Sequence, residues 1–258
     1  MFITAADRRK DNAMTGIFAH RGASAYAPEN TLDAFRLADE MGADGIEIDV
    51  HITKDGEIVV AHDFETDRVA LQNGNIPALT LKELKAMNFG AHKGGVAQVP
   101  TLAETLDFIK FTSMKLNIEI KAGPVVYDKI EARLLEMAAK WGLGDRIIYS
   151  SFNHYHLKVI KAMDESAQIG LLYNSALYEP WHYAAFVGAD AIHPYYVTLL
   201  APGVVPGCHA SNIAVNPWTV DDPEHIKMLC ALGVDNIITN VPDVAKGIRD
   251  AVAAFMKA

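Results

Sequence analysis

Eight short runs rich in Val, Ile and Leu recur along the chain, and their spacing restricts the fold more than any other feature. They occupy 17–21, 45–50, 116–121, 147–150, 169–172, 191–193, 213–216 and 236–239. From the fourth to the eighth, successive runs lie about 22 residues apart. The intervals carry helical apolar spacing, as in Leu157, Ile160 and Met163, or Ile226, Leu229 and Leu232. Repeated strand-then-helix units predict a parallel sheet. No G-x-G-x-x-G follows the first run, and the even spacing favours closure over an open doubly wound sheet. The expected fold is an α/β chain forming a (β/α)8 barrel. Helix starts are expected at Thr101, with Glu104 three residues on, and at Asp221 or Asp222 ahead of Pro223.

The chain has 258 residues, half of them hydrophobic, which suits a single barrel domain spanning 1–258. About 65 residues separate the second and third runs, more than one helix uses, so an insertion is expected between strands two and three, over about 57–100. It includes a short strand at 58–62 and a turn-rich stretch at 72–77. Loops that follow barrel strands gather at the C-terminal face, so the insertion should sit over the mouth.

A net charge of -9 repels polyanions, and the sequence has no basic stripe of the kind nucleic-acid binding needs. An anionic substrate must then be gripped by locally placed cations, against the protein's overall field. Cys208 and Cys230 are too few for a disulfide framework and lack zinc-site spacing. Asp7, Arg8, Arg9 and Lys10 stand where a signal peptide needs an apolar run, and no span of 18 apolar residues occurs. These features predict a cytoplasmic protein without a membrane span; whether it forms a homo-oligomer stays open.

In the second strand Glu47 and Asp49 share one side while Ile46, Ile48 and Val50 take the other. Strand three repeats the pattern, with Glu119 and Lys121 alternating with Ile118 and Ile120. Three clustered carboxylates need a counter-charge, and a divalent cation supplies it economically. Oxygen-only ligands favour Mg2+ or Ca2+. The competing explanation is a layer of salt bridges inside the barrel. His20 and Arg21 end strand one, and His62 with Asp63 ends the short strand of the insertion, so both histidines should reach the mouth. Phosphodiester hydrolysis needs a base, an acid and cations around the phosphoryl group. Imidazoles suit the first two roles, since their unperturbed pKa is about 6.5, and Arg21 suits the third through its planar fork. The remaining histidines considered, His92, His154, His156, His182, His209 and His225, lack company that suggests chemistry.

The ordered segments Ala19-His20-Arg21-Gly22, Pro28-Glu29-Asn30-Thr31, Glu47-Ile48-Asp49-Val50, Thr53-Lys54-Asp55-Gly56, Ala61-His62-Asp63, Glu119-Ile120-Lys121 and Trp218-Thr219-Val220 resemble the motifs of glycerophosphodiester phosphodiesterases. The resemblance covers some 200 residues. It implies that Glu47, Asp49 and Glu119 bind one divalent cation and that His20 and His62 act as general acid and base in some order. It also implies that Arg21 and Lys121 contact phosphate and that Trp218 lines the substrate pocket. The implied reaction is hydrolysis of a glycerophosphodiester to glycerol 3-phosphate and an alcohol, a step of glycerol and lipid metabolism, with the substrate's own hydroxyl attacking phosphorus. Phe152, Tyr173 and Tyr195 occupy comparable strand ends, with rim or core packing expected for the two tyrosines. Glu29 is expected either to assist the metal indirectly or to hold the first loop.

Two positions depart from the family pattern. Asn240 stands where relatives commonly carry Asp, and Thr66 where an apolar residue is usual. Both are expected to spare the central chemistry and to affect the packing of the insertion. Three other readings compete: a lysophospholipid or sphingolipid phosphodiesterase, an amidohydrolase-type barrel, and a non-catalytic binder of phosphorylated ligands. The amidohydrolase reading lacks its usual His-x-His, because strand one reads Ala19-His20-Arg21.

Overall fold

The computed structural model describes residues 14–123 and 127–257; the leaderless reading of 1–10 lies outside the described residues. Nine strands are seen among them: β1 (Gly16–His20), β2 (Gly45–Ile52), β3 (Ile58–Val60), β4 (Lys115–Ile120), β5 (Ile147–Ser151), β6 (Gln168–Tyr173), β7 (Ala191–Pro194), β8 (Ala214–Val215) and β9 (Asn236–Thr239). The α-helices are α1 (Leu32–Glu40), α2 (Asp67–Ala70), α3 (Leu81–Lys85), α4 (Leu102–Lys110), α5 (Ile130–Trp141), α6 (His154–Met163), α7 (Pro180–Val187), α8 (Val204–Ala210), α9 (Pro223–Leu232) and α10 (Pro242–Lys257).

Eight parallel strands follow the order β8-β7-β6-β5-β4-β2-β1-β9, with β3 antiparallel on β2. Backbone hydrogen bonds from Asp235 to Val215, from Ile238 to Pro217 and from Val220 to Ile238, each of 3.0 Å, tie β9 to β8 and its following loop. The sheet thus closes into the expected barrel. All eight runs form strands, although β8 is only two residues long. Arg21 falls outside β1 because its backbone turns left-handed there (φ 57°).

Alternation along the strands sorts the core. Ile17, Ala19, Ile46, Ile48, Val50, Leu116, Ile118 and Ile120 pack outward against the helices. Phe18, Ile148 and Ile238 form a separate inner cluster against Trp218. Beneath the mouth, the inner floor is polar: Asn236 donates to Asn216, and Asn216 donates to Nε2 of His193. At the opposite, N-terminal face a short sequence recurs, Gly42-Ala43-Asp44, Gly188-Ala189-Asp190 and Gly233-Val234-Asp235. Each glycine has positive φ and ends a helix. Each aspartate then accepts the backbone N–H of the second residue of the neighbouring strand, from Ile17, Ile169 and Val215 at 2.8–2.9 Å.

Leu157, Ile160, Ile226 and Leu229 are buried as expected, but Met163 and Leu232 are exposed. Steps of three residues drift about 60° around a helix, so the third member leaves the packed stripe. Thr101 and Glu104 form a complete capping box, and Asp222, not Asp221, caps α9. The insertion carries its own apolar cluster, in which Val59, Val69, Ile76, Leu84, Met87, Phe89 and Val99 meet. No helix among the described residues is long and apolar enough to cross a membrane.

Candidate active site

The mouth is built where β1, β2 and β4 end together. After His20 the chain reverses through Arg21 and Gly22, the latter at φ 80° with Ala34 so close that a Cβ would lie 2.7 Å from its backbone. This turn folds the Arg21 side chain back over the strand ends. The loop from Pro28 to Thr31 closes above it, its Asn30 N–H bonding the carbonyl of Arg21. Register sets the acids: His20 pairs with Glu47, and Asp49 with Glu119. Ligand oxygens of Glu47, Asp49 and Glu119 all lie within 4.8 Å of one another, and all three residues are buried.

Asp49 is the pivot. Its Oδ1 accepts Lys121 Nζ at 3.1 Å, and its Oδ2 accepts Asn30 Nδ2 at 3.0 Å and forms an ion pair with Arg21 Nε at 3.5 Å. Burial alone would raise its carboxyl, but Lys121, then Arg21, holds it far below the ordinary range. Lys121 also reaches Glu119 Oε1 at 2.8 Å. Even so, burial and the charge of Asp49 push Glu119 up to about 7, and burial with both other acids pushes Glu47 well above the ordinary range. Two cations do not balance three buried acids. This imbalance, the all-oxygen donor set and the close spacing fit a divalent cation.

Each histidine is held through its Nδ1. Asn240 Nδ2 donates to Asp221 Oδ2 at 2.6 Å, which turns Oδ1 toward His20; Nδ1 of His20 donates to that oxygen at 2.8 Å. Ser24 donates to the same oxygen, and Asp221 further accepts the Thr239 hydroxyl and the Asn240 N–H. Nε2 of His20 is therefore the bare nitrogen, and it faces Glu47 Oε2 at 3.9 Å. Burial, followed by the Arg21 charge, lowers His20 to about 4. His62 instead donates from Nδ1 to Asp63 Oδ1 at 2.7 Å. Burial lowers it also, against the raising pull of Asp49 and Asp63. His51 donates from Nε2 to the carbonyl of His62 at 3.1 Å and accepts the Tyr127 hydroxyl at Nδ1, which anchors the His62 backbone.

His20, Arg21, Glu47, His62, Glu119, Lys121 and Trp218 line one cleft of about 430 Å3, walled on its apolar side by Phe152, Leu172 and Ile238. Fully buried Asp49 lies beside Arg21 and Lys121 and completes the expected set. Phe152 meets Trp218 edge-on at 5.5 Å, Tyr195 braces Trp218 from the rim at 5.9 Å, and Tyr173 packs against the core. Glu29 holds the first loop through Arg21 and Arg68. Of the histidines without assigned chemistry, His156 pairs with Glu131 and His209 with Asp235, both away from the mouth.

One expectation is corrected. Asn240 touches not the insertion but His20, its Oδ1 lying 2.8 Å from Nδ1. The parallel pairing of Thr239 with Ala19 puts the two side by side despite a separation of 220 positions. Thr66 behaves as a loop staple: its hydroxyl donates to the Gln72 carbonyl and its N–H to Gly74. Asn30, His51 and Arg68 were not assigned from sequence. Asn30 lies inside a quoted motif, whereas His51 reads as one more strand residue.

The sequence profile described as the glycerophosphoryl diester phosphodiesterase family matches residues 20–244. A glycerophosphodiester phosphodiesterase of Caldanaerobacter subterraneus subsp. tengcongensis is 42% identical over 232 residues, covering 89% of this chain and 95% of the relative. One from Bacillus altitudinis is 35% identical, with 92% and 99% covered. A phosphodiesterase from Oleispira antarctica, solved with the product sn-glycerol-3-phosphate, superposes with a TM-score of 0.84 at 27% identity, covering 92% of this chain and 97% of that one. The match runs from His20, the first side chain of the cleft, past Asn240. The chain belongs to the glycerophosphoryl diester phosphodiesterase family.

Proposed function

We propose that the protein hydrolyses glycerophosphodiesters to glycerol 3-phosphate and an alcohol, using one divalent cation and two histidines. What carries the reading is the meeting of both imidazoles, Arg21, Lys121 and two of the acids around a single cleft. Membership of the family and the product bound to the Oleispira relative support the substrate class. Glu47, Asp49 and Glu119 would hold Mg2+ or Ca2+, which when bound supplies Lewis-acid neutralisation of phosphoryl oxygens.

Arg21 and Lys121 hold the phosphate, and Trp218 bounds the substrate on the apolar wall. His20 enters the reaction with Nε2 unprotonated, because Asn240 takes its Nδ1–H. It accepts the proton of the attacking hydroxyl of the substrate. His62 enters as the imidazolium, which the neighbouring Asp49 and Asp63 carboxylates favour, and gives its Nε2 proton to the departing alkoxide. The cyclic phosphate is then opened by water with the two roles exchanged. The whole chain acts as one barrel domain, working in the cytoplasm on a small soluble diester.

The test is turnover of glycerophosphocholine by His20→Ala and His62→Ala. Each is expected to lose at least about 100-fold in kcat while melting near the parent temperature. Undiminished turnover in both variants rules out the assigned roles.

A further inference from the structure

We infer that Arg68, in the insertion and outside the cleft, is a positioning residue that sets His62 and Arg21 together. The inference rests on the reading of those two groups given above. Arg68 lies in α2, a single turn whose entry is stapled by the Thr66 hydroxyl and by hydrogen bonds across 66–74. Its guanidinium spends three donors on two carboxylates. Nη1 and Nη2 bond Glu29 Oε2 and Oε1 at 2.8 and 2.7 Å, and Nε bonds Asp63 Oδ2 at 2.5 Å.

Those carboxylates are the ones that hold the two functional groups. Asp63 keeps Oδ1 for His62 Nδ1, so with Oδ2 fixed by Arg68 the carboxylate plane is set, and with it the direction of the imidazole. Glu29 Oε1 accepts Arg21 Nη1 at 2.9 Å as well as Arg68. These contacts form one continuous chain, Arg21, Glu29, Arg68, Asp63, His62. Because Arg68 takes both Glu29 oxygens, Glu29 orients Arg21 through one nitrogen without closing a two-point fork on it. With Nη1 on Glu29 and Nε turned to Asp49, Nη2 of Arg21 then stays available to a phosphate. Lysine at 68 would keep the charge but could not fix two planes at once, since an ammonium is a point charge without a fork. The insertion therefore does more than roof the cleft: one of its side chains sets the angle between a phosphate-gripping group and a proton-transferring one.

The experiment is steady-state kinetics of the full chain with Mg2+ on glycerophosphocholine, for Arg68→Ala, Arg68→Lys, Asp63→Asn and the double variant Arg68→Ala/Asp63→Asn. Arg68→Ala is expected to lose about 10- to 100-fold in kcat, with a smaller rise in KM from the loosened Arg21 and a melting temperature close to the parent's. Millimolar guanidinium should restore part of that loss, Arg68→Lys should restore little of it, and the double variant should be no slower than its slower single. Parent-like kcat in Arg68→Ala overturns the inference. So does a loss that adds fully to that of Asp63→Asn and ignores guanidinium, the behaviour of a mere brace. Should Arg68→Ala not fold, Arg68→Lys decides alone, and parent-like kcat in it overturns the inference. A parent protein without turnover sinks the functional reading instead.

Discussion

Which way an imidazole moves a proton depends on what holds its other nitrogen. At His20 that partner is the amide of Asn240, and the amide is aimed by Asp221. A carbonyl oxygen fixes the same tautomer as a carboxylate would, without adding a charge beside the ring. Removing the carbonyl should cost more than changing its charge. Asn240→Leu is expected to lower kcat by about 10- to 100-fold, while Asn240→Asp stays within a few-fold of the parent. Kinetics combined with nitrogen NMR of His20 checks both; a parent-like Asn240→Leu with His20 still protonated at Nδ1 would show that the amide is dispensable. The departure from Asp was visible in the sequence, but its contact with His20 was not, because only strand register joins residues this far apart.

At the scale of elements, period-2 alternation made the acids legible. In β2 and β4 the apolar positions face the helices, which leaves Glu47, Asp49 and Glu119 no direction but inward. Spacing of three located α6 and α9 but not the width of their packed faces, since Leu157 and Leu229 are buried while Met163 and Leu232 are exposed. The polar floor escaped notice entirely, since His193 and Asn216 read as ordinary strand ends. His193 is buried, and desolvation lowers its pKa from 6.5 to about 3. The folded state therefore refuses a proton that the unfolded chain accepts. Its stabilising effect is complete above about pH 6.5 and is lost progressively as pH falls toward 3, by at most about 1.4 kcal/mol per unit. Urea unfolding should show a shallower decline on acidification in His193→Gln than in the parent. Equal slopes would mean that this imidazole is protonated in the fold.

Across the whole molecule, a chain of net charge -9 places Arg21 and Lys121 at one mouth among a larger number of acids, an excess that a divalent cation would offset. Direct pairing of β1 with β2 and of β2 with β4 sets their ends side by side there, and the insertion adds His62, Asp63 and Arg68 from the side. The barrel and most of the mouth could be read from spacing and motifs. Arg68 could not, because an exposed arginine 39 positions from Glu29 becomes meaningful only once the insertion has folded back over the first loop. The claim on which the rest depends is that Glu47, Asp49 and Glu119 bind a divalent cation that hydrolysis requires. Turnover of glycerophosphocholine after exhaustive chelation, and again after Mg2+ or Ca2+ is returned, tests it most directly. Loss of turnover with chelator and recovery with either ion is the predicted result; full turnover in metal-free protein would contradict it.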